Sequence, residues 1–371
     1  MKIARIIAIL LLSLQLHATE KSYLFEGTVG PYPIIMNLST DGENCGAVYF
    51  YQSSLHDIHL SGYAKENKLT LYCNSYNKKL KRNDTSETIT LKVNGNNAVG
   101  SWVNNEGKKL EVTLHTINLA TVNNPFAKLP YVIGQKAENT YNFMRIASMK
   151  LVGDSLVKVD NITLEYVHIG KSKVIYPRIA DGCDNEIMKK VNKLIENTLI
   201  ESTCMFFSCS SYDFKIQGVF INKDVLSINT YTDYYCGGAY PDYGNDPLNL
   251  NLKTGNKLNL EDILFLSSAN VPSSETEEWL TYRGDVFAPK LIDLLKSLYP
   301  KKMKEHGEDA VCNYNTKEAW SFPNWYLTEK GLHLLPDFPH AAGICRNPGW
   351  SVVPFAELKK HQNPKSGISM P

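Results

Sequence analysis

The sequence predicts an α+β protein in two parts. An all-β domain, barrel-like or a sandwich, is expected over residues 19–118, and an antiparallel sheet with helices on one face over 159–360. Three observations carry this. The first third holds short runs that alternate apolar and polar residues, separated by tight-turn dipeptides. Residues 187–199 carry apolar side chains at helical spacing. Beyond them, alternating runs return in pairs around glycines.

The chain opens on a targeting segment, residues 1–18. Lys2 and Arg5 precede an apolar core from Ile6 to Leu16, too short for the roughly 20 residues a spanning helix needs, and Ala18 suits cleavage. Of 39 basic side chains two leave with it, so the rest is near neutral against 38 acidic ones. That balance excludes a nucleic-acid footprint. No later apolar run is long enough to span a membrane, so a periplasmic or secreted protein is expected.

Within residues 19–118 the expected strands are Tyr23–Val29, Pro33–Leu38, Gly46–Tyr51, Leu60–Tyr63, Leu69–Tyr72, Thr88–Val93, Val99–Val103 and Leu110–Leu114. Asp41-Gly42, Asn94-Gly95 and Glu106-Gly107 are turn signals between them. Such a meander hides its edges by closing on itself. Residues 119–158 lose the alternation. Asn123-Asn-Pro125 and Lys128-Leu-Pro130 break the chain, which reads as a connector. In the second domain Ile162–His168 and Lys173–Tyr176 read as strands, and Asp184 or Asn185 caps a helix to about Ser202. Phe214–Ile221, the Asn222-Lys-Asp224 turn and Val225–Thr230 form a hairpin. A second helical region spans Glu275–Leu298, a hairpin spans Trp325–Leu335, and Ser351–Leu358 closes the domain before a tail at 361–371.

The eight cysteines, an even count in an exported chain, read as disulfides. Only Cys45 and Cys73 fall in the β domain, so a bond between them is expected, closing a loop worth about 3 kcal/mol. The six others allow 15 pairings. Cys312 and Cys345 flank the last hairpin and are expected to pair; the pairing of the other four stays open.

Catalytic signatures are thin. The chain has no Gly-x-Ser-x-Gly elbow, His-Glu-x-x-His helix or phosphate loop, and no cofactor or metal is expected. His56 and His59 are three apart and suit a surface loop better than one metal, and His333 and His340 read as structural. Asp242 and Asp246 could form a carboxylate pair but suit turn roles better. The stretch that stands out is Tyr231–Tyr243. A strand through Thr230 leads to Gly237-Gly238, and Leu248, Leu250 and Leu252 then alternate with Asn249 and Asn251, one apolar and one wet face. Tyr234, Tyr235, Tyr240 and Tyr243, with Asp242, are the candidate ligand-binding residues, since tyrosine offers a flat apolar face and a hydroxyl. Alternation turns one of Tyr234 and Tyr235 inward.

Gly237-Gly-Ala-Tyr-Pro241, Leu252-Lys-Thr-Gly255 and Leu258-Asn-Leu-Glu-Asp-Ile-Leu264 resemble motifs of the RsiV-like domain, the extracytoplasmic part of lysozyme-sensing anti-sigma factors and of many secreted bacterial proteins. Trp325–Leu335, Phe338-Pro-His-Ala-Ala-Gly343 and Ser351–Leu358 resemble its closing motif, so the likeness covers about residues 160–360. Tyr240 stands where that family usually has histidine. Gly27–Leu38 and Leu60-Ser-Gly62 resemble a small β module that precedes such domains. The resemblance implies a non-catalytic binding protein of the bacterial envelope, with a lysozyme-like protein or cell-wall glycan (peptidoglycan) as partner. The alternatives are an enzyme acting on envelope polysaccharide and a purely structural periplasmic protein.

Overall fold

The computed structural model describes residues 21–66, 68–77, 82–267, 271–305 and 311–371. The targeting segment 1–18 lies outside the described residues. The chain divides into two compact units. One runs through residue 123 and includes 139–148; the other comprises 124–138 and 149–371.

The first unit is a closed antiparallel barrel in chain order. Its strands are β1 (Lys21–Val29), β2 (Tyr32–Asp41), β3 (Asn44–Tyr51), β4 (Ile58–Lys65), β5 (Lys68–Asn77), β6 (Arg82–Asn94), β7 (Asn97–Asn104) and β8 (Lys109–Thr116). Closure is made by β1 with β8, where Gly27 faces Leu114. Inward alternation fills the middle with Phe25, Ile34, Met36, Tyr49, Leu71, Ile89, Leu91, Val112 and Leu114. Two inward glycines let neighbouring strands approach, because a Cβ at Gly62 or at Gly100 would lie 1.8 Å from the carbonyl oxygen of Thr70 or Thr90.

Residues 119–158, read as a connector, hold ordered elements that go to different units. Helix α1 (Pro130–Glu138) and strand β9 (Leu151–Val159) belong to the second unit, and α2 (Thr140–Ala147) to the first. Helix α2 covers β2 and β3 from outside, which is why the outward residues Ile35 and Phe50 are fully buried. Its Tyr141 packs 5.2 Å from Phe50. The Asp57 carboxylate accepts from Tyr141 Oη at 2.7 Å and from the fully buried Arg145 at 2.5 Å.

The second unit has three three-stranded antiparallel sheets instead of a single one. The first joins β9 to β10 (Ile162–Ile169) and β11 (Ile175–Asp181). Helix α3 (Asn185–Ser208) follows, capped by Asp184, whose side chain accepts from Glu186 N and Ile187 N. It outruns Ser202 because Thr203, Cys204 and Phe207 continue its buried stripe. The second sheet is β12 (Ser211–Ile221), β13 (Val225–Tyr235) and β14 (Asp242–Asn251). The region Glu275–Leu298 forms α5 (Glu277–Tyr282), a π-turn Arg283–Phe287 and α6 (Ala288–Leu298), after a short α4 (Leu260–Ile263). Helices α7 (Pro300–Glu305) and α8 (Lys317–Ser321) precede the third sheet, β15 (Asn324–Thr328), β16 (Gly331–Leu335) and β17 (Val352–Pro354), and α9 (Phe355–Leu358) comes last. Trp320, Phe287, Leu291 and Leu332 centre this unit's large core.

The cysteine expectation changes. Cys312 and Cys345 are bonded, and Cys209 is bonded to Cys236. Cys45 and Cys73 are free thiols. Cys45 on β3 faces Gly62 of β4, and Gly62 faces Leu71 of β5. A whole strand therefore separates the two thiols, about 10 Å at sheet spacing, beyond the reach of a disulfide. The wet face expected of β14 is also absent: Asn249 and Asn251 are buried, at 7% and 8% exposure.

Two outcomes follow. Asp57→Ala removes the carboxylate from a fully buried guanidinium, and urea unfolding of the full chain is expected to show a loss of about 3 kcal/mol. His333 on β16 is buried, with Nε2 donating to Pro348 O at 3.0 Å and Nδ1 accepting from Tyr326 Oη at 2.7 Å. Burial holds its pKa below the ordinary value, against a smaller opposing effect of the Pro348 bond. The unfolded chain therefore binds the proton more readily. This contribution is complete above about pH 6.5 and is lost as pH falls toward the lower folded value. His333→Gln is expected to lose less stability than the parent between pH 8 and pH 5.

Candidate functional site

Strand β13 changes character along its length. Val225–Thr230 are all buried, while Tyr231–Tyr235 emerge half-buried or exposed. Tyr234 and Tyr235 therefore stand on the strand and not in the turn. Thr and Tyr favour strands, and here they pair with β12, Tyr212 facing Tyr234 and Ser211 facing Tyr235. On the other edge Asp233 faces Tyr243 and Tyr231 faces Asn245. The turn proper is 236–241, where Gly237 and Gly238 take φ of 95° and 101°.

This turn is tied down at its start. Cys236 is bonded to Cys209, the Ser210 hydroxyl donates to Tyr235 O at 2.8 Å, and Tyr235 Oη donates to Gly238 O at 2.8 Å. Tyr234 stacks on Tyr212 with centroids 6.0 Å apart. Burial first, then the Asp242 carboxylate, pushes the Tyr234 hydroxyl up, so it stays a donor. Tyr234 and Tyr235 are braces.

The turn's far side meets a 3-10 segment, His340–Cys345. His340 Nε2 donates to Pro241 O at 3.0 Å. Its ring lies 6.2 Å from Tyr240 and 6.3 Å from Tyr243. Asp242 Oδ1 accepts from its neighbour Tyr243 N at 2.9 Å and lies 3.7 Å from Arg346 Nη1 and 3.8 Å from His340 Nε2. Tyr240 is the exposed rim, at 76%. The Cys312–Cys345 bond fixes the end of the 3-10 segment beside Arg346.

Next to these residues a cleft of about 360 Å³ opens within the second unit. Tyr231, Tyr243 and Asn245 form one wall; Phe322, Asn324, Asp337, Arg346 and Asn347 form the other. Tyr231 and Tyr243 have centroids 6.5 Å apart. Phe322 is backed by Trp279 at 5.3 Å and by the Arg283 guanidinium, which pairs with Glu261 at 2.9 Å. Arg346 is aimed by its Nε, which donates to Phe338 O at 2.7 Å. Gly343 leaves room for Tyr243, because a Cβ there would lie 2.5 Å from the Tyr243 hydroxyl oxygen.

Of the sequence-derived site residues, Tyr243 lines the cleft, Tyr240 edges the turn, Asp242 bridges turn and 3-10 segment, and Tyr234 and Tyr235 hold the turn. Tyr231, Phe322, Arg346, Asn245, Asn324 and Asn347 were missed. Tyr231 opens the tyrosine-rich stretch and Asn245 lies two residues beyond Tyr243 on β14, so both had a local signal. Phe322, Asn324, Arg346 and Asn347 come from segments far from it in sequence. Asp246 lies four residues along β14 from Asp242, about 13 Å at strand rise, wider than the roughly 6.5–9.5 Å of an inverting carboxylate pair.

Among the described residues no group of three or more His, Cys, Asp or Glu could hold a metal ion, and no helix is long and apolar enough to cross a membrane. Compared with known proteins, the chain matches no family model, and no curated protein matches it.

The two walls come from different sheets joined through buried polar groups. The Ser227 hydroxyl donates to Asn249 Oδ1 at 2.6 Å and accepts from Leu327 N at 2.9 Å, and Asn249 Nδ2 donates to Trp325 O at 2.8 Å. Asn249→Ala leaves buried groups without partners and is expected to cost about 2–3 kcal/mol in urea unfolding.

Proposed function

We propose that this chain is an exported, non-catalytic binding protein of the bacterial envelope that holds a cell-wall glycan in the cleft beside Tyr243. The observation that carries the reading is the lining: aromatic faces from Tyr231 and Tyr243 on one wall face a second wall with the Phe322 ring, amides from Asn324 and Asn347 and a fixed guanidinium from Arg346. Sugar rings present apolar C–H faces and a rim of hydroxyls, so a binder needs flat apolar walls and paired donors and acceptors. The cleft volume suits one or two sugar rings; a folded protein partner needs a surface of about 800 Å² per side. Two disulfides fit an oxidising compartment, periplasmic or outside the cell. The resemblance of residues 160–360 to the RsiV-like domain supports an envelope partner.

The test is titration of the full chain with purified peptidoglycan fragments and with lysozymes. Fragments are expected to bind, and Tyr243→Ala and Phe322→Ala each to weaken them about tenfold, the loss of one stacking face. Phe322 is already 42% exposed, so its loss is expected to leave the fold intact. Retention of a lysozyme without glycan binding would move the function to a protein partner. Retention of neither overturns the reading.

A further inference from the structure

The barrel of the first unit holds a second recess, unrelated to the cleft. On β6, Ile89 and Leu91 point into the barrel and are fully buried, so Glu87, two residues earlier, points inward too. Its carboxylate accepts from Tyr49 Oη at 2.6 Å and from Trp102 Nε1 at 2.8 Å. Both donors are neutral. At this end of the barrel a recess of about 280 Å³ is lined by Tyr32, Tyr51, Trp102, Ser53, Ser54 and Lys108.

The rings form a corner. Tyr32 meets Tyr51 at 85° with centroids 6.0 Å apart, and Tyr51 meets Tyr49 at 73° and 5.4 Å. Aromatic faces in front of a carboxylate attract an organic cation. The Lys108 ammonium and the two serine hydroxyls in the same recess suit an anion. One recess with both characters fits a ligand with both charges, and barrel mouths are frequent ligand sites.

We propose that this barrel mouth binds a small zwitterion, its alkylammonium group seated against the Tyr51 and Trp102 rings, with the Glu87 charge behind them, and its adjacent phosphate held by Lys108, Ser53 and Ser54. A free phosphoamine ester and a lipid headgroup both present that pair. The test is calorimetric titration of the full chain with phosphocholine, tetramethylammonium and inorganic phosphate, and co-sedimentation with phosphatidylcholine vesicles. Phosphocholine is expected to bind more tightly than either half. Glu87→Gln is expected to weaken phosphocholine and tetramethylammonium about tenfold, the loss of one charge behind the rings. Lys108→Ala is expected to weaken phosphocholine and leave tetramethylammonium unchanged. Tyr32→Ala removes a half-exposed ring without touching the buried bonds, and it too must weaken phosphocholine. Vesicle binding assigns the ligand to a membrane surface, and binding of free phosphocholine alone assigns it to a small molecule. No binding of any probe, or equal binding by the Glu87→Gln and Tyr32→Ala variants, overturns the proposal. Neither outcome touches the glycan reading, which rests on residues of the other unit.

Discussion

The cleft depends on three buried polar groups. Ser227, Asn249 and the backbone of β15 bond one another inside the second unit, where no water competes. A hydroxyl and an amide buried there cost free energy unless their partners are placed correctly, so the two sheets can meet in one register only. Sheet β12–β14 supplies Tyr231, Tyr243 and Asn245; sheet β15–β17 and the segments around it supply Asn324, Asp337 and Arg346. The bonds that join the sheets thus set the distance between the walls of the site.

The disulfides act at the outer ends of the same construction. Cys209–Cys236 closes a loop of 27 residues and Cys312–Cys345 one of 33. Each removes unfolded-state freedom worth about 3.5 kcal/mol in the chain-entropy view. Each also ends beside a site segment, the first at the glycine turn and the second at the 3-10 segment. A glycine turn left alone is the most mobile kind of backbone. Bonded at Cys236, held by Tyr235 and touched by His340, it presents Tyr240 and Asp242 with little ordering left to do on binding.

The barrel was legible because its strands alternate and tight-turn dipeptides punctuate them. Every expected strand appears, extended by one or more residues at an end. Helix α3 was legible from its cap and stripe. What stayed hidden were contacts between distant segments. Asp57 sits in a loop, and nothing around it announces that Arg145, 88 residues away, will pair with it. Asn249 and Asn251 read as solvent-facing by alternation, because polarity alone does not reveal a second sheet stacked on that face. Cys45 and Cys73 looked paired by elimination, although a meander sets nearby strands side by side in order and keeps every second one apart. Of the site, the turn and its tyrosines were visible; the opposing wall was not, since Phe322, Arg346 and Asn347 come from irregular backbone with no periodicity to read.

The tyrosines show why residue type alone does not assign a role. Tyr234 and Tyr235 are adjacent and chemically identical. Yet one hydroxyl lies 3.5 Å from Asp242 and the other reaches the carbonyl of Gly238, because adjacent strand residues point to opposite faces. Both are occupied in holding the turn. Tyr243 differs because Gly343 leaves space against its ring, and Tyr231 because β13 has by then run out from under the core. A phenol becomes available to a ligand where the sheet outruns its covering layer, and on β13 that boundary falls between Thr230 and Tyr231. The cleft opens at that step, so the position of the site follows from how far the core extends along one strand.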